Sequence, residues 1–331
     1  MKTTLNFVKA IFWSSSETRL RAGWRILAHI LVLILLFMLS SFNLAPGGLP
    51  QNRLVDFILK VISENLSWMI IVLSLIIAGK FLDRRPFKNY GFALDRAWWL
   101  DMGFGLALGA LLMAVIFGVE YALGWATVTP TLESSQPLFW EDMFFYLLLF
   151  ISVGIQEEVM SRGYWLRNIA EGLNFRRLGP RAALWISYAI SSSIFGLLHF
   201  ANPNSSWVST VNLILAGLFL GLPYLLTGEL AISIGLHITW NFFQGNVFGF
   251  PVSGMRTGTT IITIQQSGPE LWTGGAFGPE AGLIGIAAIV IGSLLILLWV
   301  KSTRHRLAWQ DSLAIYPVIQ RPAELPAEQQ A

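Results

Sequence analysis

Eight apolar runs, each close to the length of a bilayer crossing, constrain this chain more than any other feature. They cover residues 24–44, 58–79, 100–123, 139–160, 182–200, 208–227, 230–250 and 281–300. About 20 apolar residues cross the hydrocarbon as a helix. The chain is 54% hydrophobic and only 12% charged, against roughly a quarter charged for a soluble domain. The expected fold is all-α, a polytopic membrane protein with about eight transmembrane helices. Residues 1–23 form a cytoplasmic or interfacial segment, 24–300 the membrane domain and 301–331 a cytoplasmic tail.

The pI of 9.3 invites a nucleic-acid reading, but the placement of the basic residues argues against it. Of 22 Lys and Arg, 19 fall before or at the start of the first run, in the second and fourth connections, or after the last run. Alternating crossings put these segments on one side, leaving only Arg53, Lys60 and Arg256 opposite. The positive-inside rule then sets both termini in the cytoplasm of a cell-membrane protein. The first run is long for a signal peptide and lacks a small-residue cleavage site, so it reads as a retained anchor. A short chain without an organelle signal reads as bacterial. With no cysteine, disulfides, thiolate zinc sites and cysteine nucleophiles are excluded.

Gly105-x-x-x-Gly109 and Gly217-x-x-x-Gly221 read as close helix contacts. Residues 5–13 read as either an interfacial helix or a disordered start, and the Pro/Ala/Glu/Gln-rich tail after Tyr316 as mobile. The 251–280 connection is long and Gly-rich, with a β-prone stretch at 259–264. Connections of that length serve as binding loops or lids as well as plain surface loops.

Charge inside hydrocarbon costs at least roughly 2.5–3.5 kcal/mol per residue at mid-bilayer, so the polar groups in these runs carry the functional signal. Glu157, Glu158 and Arg162 close the fourth run; His199 ends the fifth; His237 and Asn241 lie on the seventh. Positions four apart share a helix face, and adjacent ones diverge by about 100°. Glu158 therefore pairs with Arg162 as structural support, in the favourable orientation. Glu157 is left without an in-helix partner, and an unpaired carboxylate in a low-dielectric cavity is suited to general-base work. His237 and Asn241 share a face and can offer two donors to a developing oxyanion. Each cluster alone also reads as a salt bridge or a polar inter-helix contact. His29 reads as such a contact and His305 as an interfacial charge.

The three motifs together, Glu157-Glu158-Val-Met-Ser-Arg162, Phe195-Gly-Leu-Leu-His199 and His237-Ile-Thr-Trp-Asn241, are more specific. In that order they resemble the CAAX protease and bacteriocin-processing (Abi) family of intramembrane peptidases. The resemblance covers mainly residues 139–250, the peptidase core. It implies that Glu157 with His199 activates water while His237 and Asn241 stabilise the tetrahedral intermediate. Glu157, His199 and His237 also read as ligands of a divalent metal such as zinc, leaving one position for water; chemistry without a metal is favoured. The expected partners are the lipid bilayer and a peptide or membrane-protein substrate, with no nucleic acid. A non-catalytic binding protein, such as a bacteriocin-immunity factor on the same fold, is the main alternative. An ion transporter is a weaker one, for want of inverted repeats.

Depth poses a difficulty. At 1.5 Å per residue, Glu157 falls at the inner end of a helix stopping at Met160, and His199 at the outer end of its own. They meet only if the fifth helix starts near Ser187, tilts, or if the fourth helix runs on past Arg162.

Overall fold

The computed structural model describes residues 10–40, 53–134 and 138–317. The readings at 5–13 and beyond Tyr316 fall for the most part outside them. A two-residue hairpin, β1 (Trp13–Ser14) and β2 (Arg19–Leu20), precedes α1 (Ala22–Ser40). Next come α2 (Arg53–Ala78), α3 (Arg96–Ala122) and β3 (Ala126–Ser134). After α4 (Phe139–Leu173) follow α5 (Gly179–Leu198), α6 (Trp207–Thr227), α7 (Ala231–Phe242), β4 (Thr259–Gln266) and α8 (Leu283–Arg304).

Among the described residues, seven helices are long and apolar enough to cross a membrane. The protein is therefore a multi-pass, all-α membrane protein, as its composition requires. The apolar run at 230–250 forms something shorter: α7 plus a π-helical turn, Phe243–Val247. At 1.5 Å per residue this is about 25 Å. The helix ends there because its last polar side chains bind outside it. Gln244 Nε2 donates to Pro251 O at 2.6 Å and Asn246 Nδ2 to Thr259 O at 2.7 Å. Gly249, at φ 68°, then turns the chain away. The short helix still joins the two faces of the bundle: Leu230 N–H bonds Gly91 O at its start, and Asn246 holds β4 at its end.

Glycines seat α7. A methyl group on Gly105 would lie 2.4 Å from Ile232 O, and one on Gly109 2.5 Å from Leu236 O. In return, a methyl on Gly235 would lie 2.6 Å from Met102 O. Helices in lipid gain little from burying apolar surface against each other, so close backbone packing of this kind must hold them. The second glycine pair lays α6 against Ser192 and Tyr188 of α5.

The two faces differ. On one, β3 and β4 form an antiparallel ribbon from Ala126↔Gln266 to Ser134↔Thr259. This accounts for the β-prone stretch and adds a strand at 126–134 that the sequence had not suggested. On the other, several basic residues expected at the membrane edge are buried. Glu171 accepts from Arg19 at 2.7 Å and Arg25 at 3.1 Å, and pairs with Arg85. Asp83 adds an ion pair with Arg25 at 3.0 Å and accepts from Tyr90. Burying an ion costs several kcal/mol unless partners replace its water; here the hairpin, the start of α1, the segment after α2 and the end of α4 supply those partners to one another.

Candidate active site

The depth difficulty is resolved by the length of α4. It does not stop at Met160 but runs Phe139–Leu173, 35 residues. Glu157 is the nineteenth of these, at mid-helix rather than at an end. Immediately after Glu158 the helix widens into a π-helical stretch, Val159–Leu166, every residue of which is buried. Such stretches recur at functional sites, because the extra residue per turn re-aims the side chains around it. Ser191 of α5 pins this stretch by donating to Ser161 O at 2.6 Å. His199 lies at the C-terminal cap of α5, where the sequence count put it.

The structure brings together Glu157, Glu158, Arg162, His199 and His237, and Asn241 lines the same cavity of about 430 Å³. Glu157 Oε2 is 4.0 Å from His199 Nε2 and 3.9 Å from His237 Nε2. It is buried and makes no direct hydrogen bond among the described residues. A water bonded at about 2.8 Å to two atoms 4 Å apart would see an angle near 90°, so each separation matches the span of one bridging water. The expected pair also forms: Arg162 Nη1 lies 2.8 Å from Glu158 Oε1. Arg162 Nη2 further donates to Gly217 O at 2.8 Å, joining α4 to α6.

Glu158 does more than that pair suggested. Its Oε1 also lies 2.9 Å from His237 Nδ1, so one carboxylate oxygen holds both the arginine and the histidine. That bond puts the Nδ1 proton between ring and carboxylate and turns His237 Nε2 towards Glu157. His199 is fixed in the same manner by a carbonyl: its Nδ1 lies 2.7 Å from Phe195 O. Phe195 is the packing hub. Its ring sits 4.8 Å from the His199 ring, 6.2 Å from the His237 ring and 4.6 Å from the Arg162 guanidinium carbon. Its place in a Phe-x-x-x-His motif was visible; its contacts were not.

The remaining polar positions divide simply. His29 Nε2 meets Ser74 Oγ at 3.0 Å, an α1–α2 contact as expected. Ser187 and Ser193 bond back to their own helix.

The 251–280 connection lies over the cavity, whose lining includes Val252, Ser253, Met255, Arg256, Thr257 and Glu280. Glu280 carries no motif signal and the sequence did not single it out. It is buried, and burial pushes its carboxyl above the ordinary carboxylate range, opposed by the Ser253 N–H, His199 and Gln244.

A tetrahedral zinc with bonds of about 2.1 Å sets its ligand atoms about 3.4 Å apart. The two Nε2 atoms stand wider than that from Glu157 Oε2. Among the described residues no group of three His, Asp or Glu is arranged to hold a metal ion. As spaced here, the three side chains stand wider than a closed zinc ligand set.

A carboxylate flanked by two imidazoles in a cavity among apolar membrane helices is an arrangement suited to exchanging protons away from bulk solvent. Residues 139–243 match the family model of the Rce1-like proteins, described as type II CAAX prenyl endopeptidases. The resemblance to CAAX proteases read from the three motifs is borne out over this stretch, and it supports a peptidase activity. No curated protein and no solved structure matches the chain.

Proposed function

We propose that the protein is an intramembrane endopeptidase in which Glu157 is the general base. The observation that carries this reading is the buried, unpartnered Glu157 Oε2 faced by two imidazole Nε2 atoms at one-water distance. A water bonded between Glu157 and His199 loses a proton to the carboxylate as its oxygen attacks the scissile carbonyl carbon. The carbonyl oxygen becomes an oxyanion. The Asn241 amide and a protonated His237 Nε2 donate to it, with the Glu158 carboxylate behind the ring balancing the imidazolium charge. Collapse breaks the C–N bond, and the proton held by Glu157 passes through His199 to the leaving amine. Arg162, held by Glu158 and Gly217 O, fixes the carboxylate on which His237 depends. No step needs a metal.

The substrate is a peptide or membrane-protein segment with apolar side chains, as suits a cavity walled by Trp68, Leu149, Phe150, Leu213 and Ile289. The basic asymmetry of 19 in 22 supports a cell-membrane protein with both termini cytoplasmic. The peptidase core is assigned to 139–250. A non-catalytic binding role is disfavoured because every polar member of the three motifs is present.

The test compares peptide termini in membranes of cells expressing wild type or Glu157→Gln at matched, folded levels. New termini confined to wild type are expected, and identical profiles across growth conditions would transfer the reading to binding. With a substrate found, cleavage is expected to survive a strong chelator. Loss of activity restored by zinc would return the chemistry to a metal.

A further inference from the structure

The family match ends at residue 243, yet the roof of the cavity comes from beyond it. At its centre is a tight turn in which Val252 and Met255 pair across an isolated antiparallel bridge. Ser253, between them, adopts φ 46°, a left-handed conformation that a non-glycine residue takes only at a cost. Two side chains hold it there. Glu280 Oε2 accepts from Ser253 N–H at 2.7 Å, with the Ser253 hydroxyl 3.2 Å from the same oxygen. From the other side, Asn202 Nδ2 donates to Ser253 O at 3.0 Å. Asn202 lies three residues after His199, so the roof is tied to the end of the helix that presents that histidine. The rest of the turn is equally confined. A methyl on Gly254 would lie 1.8 Å from Pro203 O, and Tyr146 of α4 bonds Thr257 O.

Of these holders, only Glu280 is an ionisable group buried in the cavity wall without a part in the proposed chemistry. An acid is an expensive way to accept one backbone N–H where an amide would serve. Its position explains its use: it bonds the Ser253 backbone and hydroxyl and lines the same cavity as His199. It thus ties the 252–255 turn to the wall of the cavity that His199 also lines.

We propose that Glu280 is a positioning residue of this site: it latches the 252–255 turn over the cavity and so sets the wall against which the substrate chain is held. This rests on the hydrolytic reading of the site, in which an apolar peptide lies between α4 and that wall. Val252 and Met255 then become the specificity-determining contacts that this chain adds to the common core. The latch orients substrate and takes no part in proton transfer.

The chain has no cysteine, so a single introduced thiol reports without background. Val252→Cys places it on the buried side of the turn. In full-length protein in liposomes, Glu280→Ala is expected to raise the maleimide labelling rate of this thiol at least tenfold. Glu280→Gln, which keeps an acceptor for Ser253 N–H, should leave it within about threefold. Equal rates in all three would overturn the latch. This readout needs no turnover, so it decides the latch even if the wild type cleaves nothing, an outcome that would instead sink the peptidase reading. With a cleavable substrate in hand, Glu280→Ala without the added thiol should raise KM at least fivefold with kcat within twofold, and Glu280→Gln should restore KM. A fall in kcat alone, the signature of a smaller folded fraction, would reduce Glu280 to a structural residue.

Discussion

Replacing either of the two adjacent glutamates by glutamine changes the same charge, yet the structure assigns the two changes opposite consequences. Glu158 is fully buried, and its Oε1 serves both Arg162 at 2.8 Å and His237 at 2.9 Å. Removing one partner from a buried pair costs about 3–5 kcal/mol, because the other charge stays behind. Arg162 keeps Gly217 O and the face of Phe195, which sets Glu158→Gln at the lower end, near 3 kcal/mol. At roughly 2 °C per kcal/mol for a large domain, its melting temperature falls on the order of 5 °C. Glu157 Oε2 has no such partner to orphan. Glu157→Gln removes a charge whose buried oxygen has no hydrogen-bond partner, at nearly unchanged shape, so it melts at or slightly above wild type. Catalysis separates them again. Loss of the general base removes about a hundredfold to ten-thousandfold of rate, whereas Glu158→Gln lowers rate through His237 and stability together. The assay is thermal unfolding of detergent-purified protein by tryptophan fluorescence, beside cleavage of a substrate found by the terminus comparison. If Glu157→Gln is destabilised as much as Glu158→Gln, the two glutamates form one salt-bridge cluster and the division of roles is wrong.

Two further outcomes follow from the packing and the roof. Gly109→Ala pushes a methyl against Leu236 O and Thr239 Oγ1 of α7 and should cost about 1–3 kcal/mol with a loss of cleavage, while Gly103→Ala, which meets nothing within 4 Å, should be neutral or mildly stabilising; equal effects would deny that α7 is seated by backbone contact. Because burial raises the Glu280 carboxyl, the neutral acid stabilises the fold at acid pH, and that contribution is lost as pH rises from the ordinary carboxylate range through the folded value. Melting temperature between about pH 5 and pH 8 should decline less in Glu280→Gln than in wild type, and parallel declines would count against a raised value.

Much of this was legible in the chain because lipid leaves few choices. Twenty apolar residues can do little in hydrocarbon but form a helix, and Glu, His and Asn are too costly there to be incidental. The i,i+4 rule found the Glu158–Arg162 pair, and the three motifs found the residues that meet. What stayed hidden depends on distance along the chain. The fourth apolar run fades near Met160, so hydropathy ended α4 thirteen residues early and set Glu157 at the wrong depth. The bond from Glu158 to His237 spans 79 residues, and no local period encodes it. The partners of Arg19 and Arg25 are equally remote, so the basic residues read as topology alone. Glu280 lies among glycines in a loop, where one acid looks like any surface charge.

Buried almost throughout, the short α7 has consequences for how the protein meets different membranes. Helices exposed to lipid tilt or shift when hydrocarbon thickness changes, at fractions of a kcal/mol per Å of mismatch. The outer faces of α1, α2 and α8 carry exposed leucines and isoleucines and take up that adjustment. α7, at about 25 Å, presents little of itself to the tails, and its height is set by glycine contacts with α3 and by side chains bonded to the β3–β4 ribbon. His237 and Asn241 are therefore expected to hold their height with α3 and the ribbon while the lipid-facing helices adapt, so that cleavage depends little on bilayer thickness.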